Sequence, residues 1–202
     1  HKTNDMKIRL FITGLLLLSG IGASAQEVTK YGIKSAVIKK EVTAMGQKMQ
    51  NTLYFDDYGK KEATELHIKV TNMEKLMRTI AEGKTNVSID VEEKKAYRMP
   101  APDEPNNYRN LTQEDRKKYN IREGGEEEIA GKLCKKYTLD IPQGDMKFQA
   151  TVWIWEGIML KFESVNEGQV VVTDEAKEIR ENEAIPADKF TIPEGFTVHE
   201  QK

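Results

Sequence analysis

Cys134 is the one cysteine of the chain, and it lies between Lys132 and the pair Lys135-Lys136. Neighbouring cations lower a thiol's pKa and make it nucleophilic. Nucleophilic catalysis also needs a base within reach. Past residue 25 the only imidazoles are His67 and His199, both far from Cys134 along the chain. A structural thiol and a redox or mixed-disulfide role therefore remain the two readings. Cys134 is out of phase with Leu133 and Tyr137, which places it on the polar side of its strand.

Other chemistry finds less material. Two histidines and one cysteine make no zinc set of known spacing. Asp56-Asp57 falls in a turn, where aspartates bond their own backbone. Glu126-Glu127-Glu128 follows Gly124-Gly125 and reads as a solvated turn. There is no Gly-x-Ser-x-Gly elbow and no phosphate-cradling glycine loop. A glycosidase needs two carboxylates facing across a cleft, and sequence alone selects no such pair. The sequence thus names no catalytic residue, no metal ligand and no cofactor, and it reads as a binding protein rather than an enzyme.

The segment around Trp153 and Trp155 carries the strongest binding signal. Glu156-Gly157 fits a two-residue hairpin turn. Trp155 then opposes Ile158, and Trp153 opposes Leu160. Cross-strand partners share a face, so Trp153, Trp155, Ile158, Leu160 and Phe162 form one apolar surface. The other face holds Phe148, Val152, Ile154 and Met159 beside Lys161 and Glu163. One face serves the core. The other is covered by a helix or loop, or by a ligand or partner, because large exposed apolar patches mark binding. These five residues are the candidate ligand-lining set.

The elements that position them are strands. Ile33 to Val42 alternates loosely, and Met49, Leu53 and Phe55 mark a second strand ending at Asp56-Asp57-Tyr58-Gly59. Leu66, Ile68 and Val70 alternate with polar residues, as in a strand wet on one side. Met73 to Ala81 fits helix or strand. The Glu82-Gly83-Lys84 turn into Val87, Ile89 and Val91 favours a hairpin. Pro100 to Asn110 is a loop. Thr112 opens a helix with a capping pattern, expected to run to about Tyr119. Leu133, Tyr137, Leu139 and Ile141 share a strand face. Met146–Trp155, Ile158–Val165 and Gln169–Ile179 follow, and the tail from Phe190 to Phe196 reads as a short closing strand or cap. Strand, glycine turn, strand is the grammar of an antiparallel meander, here of nine or ten strands. A sheet that wide curls. The expected fold is mainly β (α+β): one wide, curved antiparallel sheet, an open half-barrel, with one or two helices over its concave face.

Lys7 and Arg9, the apolar run Leu10–Leu18 and Ala23-Ser24-Ala25 read as a secretory signal peptide. Met6 reads as the start of translation. The expected organisation is residues 1–25 as extension and leader, then 26–202 as a single β-rich domain in the periplasm or beyond. The leader's apolar run is shorter than the roughly 20 residues a spanning helix needs, so the mature chain is expected to have no transmembrane segment. Removing the leader moves the formal charge from −2 to −4, with both signs interspersed. That leaves no basic footprint for nucleic acid and no polybasic patch for anionic lipid. A lone cysteine makes no internal disulfide, so packing holds the domain together.

Leu53-Tyr54-Phe55-Asp56-Asp57-Tyr58-Gly59-Lys60-Lys61-Glu62-Ala63 and Ile129-Ala130-Gly131-Lys132-Leu133-Cys134-Lys135-Lys136-Tyr137 resemble a Gram-negative envelope family of unknown function. Val152-Trp153-Ile154-Trp155 with Gly157-Ile158, and Phe190-Thr191-Ile192-Pro193-Glu194-Gly195-Phe196, continue the resemblance. Such proteins are distantly similar to the lipoprotein-carrier (LolA-like) group. The resemblance implies a curved sheet closing over helices, an apolar cavity for acyl chains and no catalytic residues. It implies a lipid or lipoprotein ligand; the alternative, read from the hairpin's apolar patch, is that the same surface meets another envelope protein. The group has several lid helices and a cavity arginine; this sequence offers one clear helix and no arginine matched to that place.

Overall fold

A computed structural model describes residues 26–201, so the leader expected at 1–25 lies outside the described residues. The strands are β1 (Ala36–Ala44), β2 (Gln47–Asp56), β3 (Lys61–Val70), β4 (Met73–Glu82), β5 (Thr85–Asp90) and β6 (Lys95–Pro100). Helix α1 (Gln113–Lys118) follows, then β7 (Arg122–Ile129), β8 (Lys132–Gln143), β9 (Met146–Trp155), β10 (Ile158–Asn166), β11 (Gln169–Glu181) and β12 (Thr197–Glu200). All twelve join one sheet in the order β12-β6-β5-β4-β3-β2-β1-β11-β10-β9-β8-β7. Every pairing is antiparallel except β12 on β6. The expected wide meander is present with two more strands than the upper count. The segment Met73 to Ala81 is strand, and the glutamate run expected as a turn is part of β7. That strand is an exposed edge whose charges discourage a further chain from pairing there.

The turns follow from the sequence. Met45-Gly46, Ala130-Gly131, Glu156-Gly157 and Glu167-Gly168 each hold both central residues at positive φ, as primed hairpin turns demand. Curvature comes from bulges, which bend the strand that carries the extra residue. One is Leu160, squeezed between the pairs Met159–Ile154 and Lys161–Trp153. Another is Lys177 of β11, between partners of Lys39 and Lys40. Pairing of β10 with β11 begins only at Lys161–Glu175. Beyond it the sheet folds back on itself. Lys132, at the start of β8, forms an ion pair with Glu181, at the end of β11. In a flat sheet those strands stand about 14 Å apart.

Three apolar clusters result. The first joins Ala36, Ile38, Leu53 and Phe55 to Trp153, Ile158, Leu160 and Cys134 across the fold. The second lies on one face of β8 and β9, where Tyr137, Leu139, Ile141, Val152 and Ile154 pack under Tyr119 and Ile121. Helix α1 begins with a reciprocal cap, Asp115 N–H donating to Thr112 Oγ1 and Thr112 N–H to the Asp115 carboxylate, each at 3.0 Å. Its end is tied down where Asp140 N–H donates to the Tyr119 carbonyl at 2.8 Å. The third cluster is Ala63, Ile80, Val87, Ile89 and Ala96, covered by Phe190, Ile192 and Phe196 of the C-terminal segment.

That C-terminal cover is pinned by charge. Glu65 is buried, with Lys189 at 2.6 Å, Arg78 at 3.1 Å and the Tyr54 hydroxyl donating at 3.2 Å. Burial alone raises the Glu65 pKa, but Lys189, Arg78 and Tyr54 together outweigh it and hold the carboxyl below its ordinary 4.5. A depressed carboxyl stabilises the fold above its unfolded pKa and loses that contribution as pH falls through the folded value. Circular dichroism across about pH 5 to 2 is expected to show unfolding that Glu65→Gln makes shallower, with lower stability at neutral pH. Parallel acid limbs in the two proteins refute the assignment.

Candidate functional site

Positions two apart on a strand share a face, and along β1 this groups Lys40 with Ala36 and Ile38 rather than with its neighbour Lys39. Lys40 is accordingly buried, its side chain 6% exposed, while Lys39 faces solvent. Lys40 pairs with Asn51 across to β2, and Leu53 two residues on pairs with Thr64 of β3, which pairs with Thr79 of β4. These side chains floor a cavity of about 830 Å³ on the concave face. Its walls are the loop residues Ala101 to Tyr108 and an N-terminal strap at Lys30 and Tyr31.

The strap is held by backbone contact. Tyr31 N–H donates to the Tyr58 carbonyl at 3.0 Å, and Gly32 N–H to the Glu156 carbonyl at 2.8 Å. Arg109 Nη1 donates to the carbonyls of Thr29 and Tyr31. Tyr31 packs edge-on against Phe55, centroids 4.5 Å apart, and its hydroxyl donates to Glu62. Lys30 pairs with the same Glu62 oxygen at 2.7 Å. Burial first, then the Glu62 charge, raises the Tyr31 pKa, which keeps it a neutral donor.

The floor is polar where a core is expected to be apolar. Lys40 Nζ lies 2.8 Å from Asp174 Oδ2. Asp174 Oδ1, Asn51 Oδ1 and the Tyr108 hydroxyl are buried without a hydrogen-bond partner among the described residues, and all three residues line this cavity. Each unsatisfied group costs roughly 1–3 kcal/mol. Glu104 also lines the cavity, from an exposed position at its mouth. Among the described residues no arginine lines the cavity, and Lys40 is the buried cation there.

None of the five residues expected from sequence lines this space. Trp153, Ile158 and Leu160 are buried in the first cluster, Trp155 packs against that cluster from a half-buried position, and Phe162 packs against the second. The Leu160 bulge accounts for Phe162, which pairs with Val152; Trp153, Trp155, Ile158 and Leu160 keep a common face, and that face is spent on the first cluster. Trp153 is locked, 2% exposed, its indole N–H donating to Glu127 at 2.7 Å and its ring lying 4.4 Å from Lys161 Nζ. Trp155 lines a smaller cleft of about 350 Å³ with Leu133, Tyr137 and Arg109. Cys134 is fully buried rather than on a polar face, and burial pushes its thiol up to about 11. A thiol so protonated is a poor nucleophile. The second-face residue Met159 does reach the larger cavity.

A second surface stands at the opposite end of the strands. Four successive hairpin tips along the sheet carry exposed apolar side chains: Met73, Met45 (96% exposed), Val170 with Val171, and Met146 (72%). Tips two strands apart stand about 10 Å from one another.

No family model matches the chain, and no curated protein matches it. Among solved structures it is similar to an uncharacterized conserved protein from Thermus thermophilus, at 14% identity and a TM-score of 0.57, over 86% of this chain and 94% of that one. It is similar to MucB at 14% identity and a TM-score of 0.52, over 82% of this chain. The match spans 59% of the MucB chain. An outer membrane lipoprotein-sorting protein domain from Vibrio parahaemolyticus, at 10% identity and a TM-score of 0.39 over 78% of this chain and 89% of that one, is also among the matches. What the first two share with this chain is the fold.

Proposed function

We propose that this chain is an exported, non-enzymatic binding or carrier protein of the envelope, and that the concave cavity is its ligand site. The ligand is amphipathic: an acyl-like portion lies against Leu53, Met159 and the Tyr108 ring, and a polar end reaches the Lys40–Asp174 pair. The observation that carries this reading is a charged pair of buried Lys40 and half-buried Asp174, with oxygens lacking partners in and beside it, on the floor of a large open cavity. Removed from water, such groups are costly unless something completes their bonding. Concave sites with an apolar wall and a few placed polar groups are the usual form of small-molecule sites. The wholly apolar pocket drawn from the tryptophan hairpin gives way to one of mixed character. Fold likeness supports the architecture and selects no ligand.

N-phenyl-1-naphthylamine, a neutral dye that brightens in apolar sites, tests the reading. Its fluorescence is expected to rise on titration with the protein. Thr79→Phe, which fills the floor, is expected to weaken binding by about tenfold, equivalent to about 1.4 kcal/mol. Met45→Ser leaves binding unchanged. Equal binding by Thr79→Phe places the dye elsewhere and defeats the proposal.

A second reading, a module that binds another envelope protein, is favoured by the row of apolar hairpin tips. A photocrosslinker at position 45 captures one protein partner in cells under this reading. Failure to capture any protein from positions 45, 73 and 146 removes it.

A further inference from the structure

The floor of the cavity is balanced in charge and incomplete on both sides. Lys40 and Asp174 compensate each other at 2.8 Å. An ammonium carries three donors. Among the described residues Lys40 uses one of them, on Asp174 Oδ2, and two remain. The other carboxylate oxygen, Asp174 Oδ1, is buried with no donor on it. So is Oδ1 of Asn51, the cross-strand neighbour of Lys40. Spare donors and spare acceptors therefore gather around one ion pair. The other charges of the cavity do not tip this balance. Lys30 is paired with Glu62, and Asp103 with Lys118. Glu104 and Lys84, one of each sign, stand exposed at the mouth.

A carboxylate head only accepts, and an ammonium head only donates. The first completes Lys40 and meets Asp174 with like charge; the second completes Asp174 and meets Lys40 in the same way. Either one leaves a net charge on a floor removed from water, where an uncompensated charge is costly. A hydroxyl is the smallest group that donates and accepts at once. It accepts from Lys40, donates to Asp174 Oδ1 and adds no charge. Hydrogen bonds with one ionised partner are about twice as strong as neutral ones, and both of these are of that kind.

Resting on the cavity as ligand site, we infer that its floor recognises an uncharged hydroxyl head on an apolar chain, seated between Lys40 and Asp174 with Asn51 beside it. Heads of either charge are discriminated against. So are ethers and esters, which accept without donating. The apolar wall supplies affinity common to every head group.

Two isomers separate recognition from partition into an apolar space. Octan-1-ol and heptyl methyl ether share the same atoms and carry no charge, but only the alcohol donates. In displacement of N-phenyl-1-naphthylamine at pH 7, octan-1-ol is expected to bind about tenfold tighter than the ether, the size of one hydrogen bond to a charged group. Octanoate and octylammonium, below their micelle concentrations, both bind more weakly than the alcohol. Asp174→Asn leaves Lys40 without its counter-charge. The preference for alcohol over ether then falls to about threefold or less, and octanoate overtakes octylammonium. Equal binding of the two isomers to the parent protein overturns the inference alone and leaves the cavity reading in place, whether or not Asp174→Asn folds. So does either charged probe binding tighter than octan-1-ol. A dye that none of the four probes displaces overturns both.

Discussion

Trp153→Ala is expected to destabilise the protein by about 3–5 kcal/mol in urea unfolding, the range for large aromatic truncations in a core. Trp153 is enclosed by the first cluster, where strands on both sides hold the surrounding side chains in place. The loss has parts that separate. Trp153→Phe keeps much of the ring, and water replaces the indole donor at the exposed Glu127, so it is expected to cost about 1–2 kcal/mol, chiefly for the lost ring volume. The two lysines over the ring, Lys136 and Lys161, lose their aromatic face only in the alanine variant. If Trp153→Ala unfolds at the same urea concentration as the parent protein, the indole does not hold the two halves of the curled sheet together.

Gly157→Ala is expected to be nearly as damaging, for a different reason. Gly157 has φ +81°, and a Cβ there falls 2.3 Å from the Lys30 carbonyl oxygen and 2.8 Å from Arg109 Cγ. Backbone cannot yield as a flexible side chain can. The left-handed conformation costs about 1–2 kcal/mol for a residue with a Cβ, and the overpacking about 1–3 kcal/mol more. Gly168→Ala is the matched control. It occupies the same place in the next Glu-Gly hairpin turn along the chain, at φ +77°, with nothing within 4 Å of the added carbon. It should show the conformational part alone. The difference between the two variants measures how firmly the strap closes the cavity wall. Equal losses mean the strap is not in contact with the turn.

The turns and the helix cap were readable because their signals are local. Glu156-Gly157 and Glu167-Gly168 need only glycine's tolerance of positive φ, and Thr112 with Asp115 completes a hydrogen-bonded box within four residues. The bulge at Leu160 has no such mark. An extra residue in a strand is decided by the partner strand and by how the sheet closes, and Ile158-Met159-Leu160-Lys161-Phe162 alternates as well without it. One unpaired residue moved Phe162 to the opposite cluster, while the tryptophan face is covered by Ala36, Ile38, Leu53 and Phe55 where the sheet folds back. Lys40 was hidden by its neighbour. A lysine doublet reads as a solvated face, yet the parity that places Ala36 and Ile38 inward already carries Lys40 with them. Cys134 misled for a related reason: in a sheet that folds back, both faces of β8 are covered, so a polar-looking position can be fully buried. Glu126 to Glu128 sit in a strand because an edge strand needs one neighbour and no apolar face.

The central claim is that the concave face encloses a hollow that a ligand occupies. Native mass spectrometry of the protein purified from its own cells, compared with its denatured mass, tests this directly. A discrete added mass is expected, of a size that fits about 830 Å³, lost on denaturation, recovered in an organic extract and absent from Thr79→Phe. A native mass equal to the polypeptide alone in both proteins, however gently it is prepared, contradicts the account.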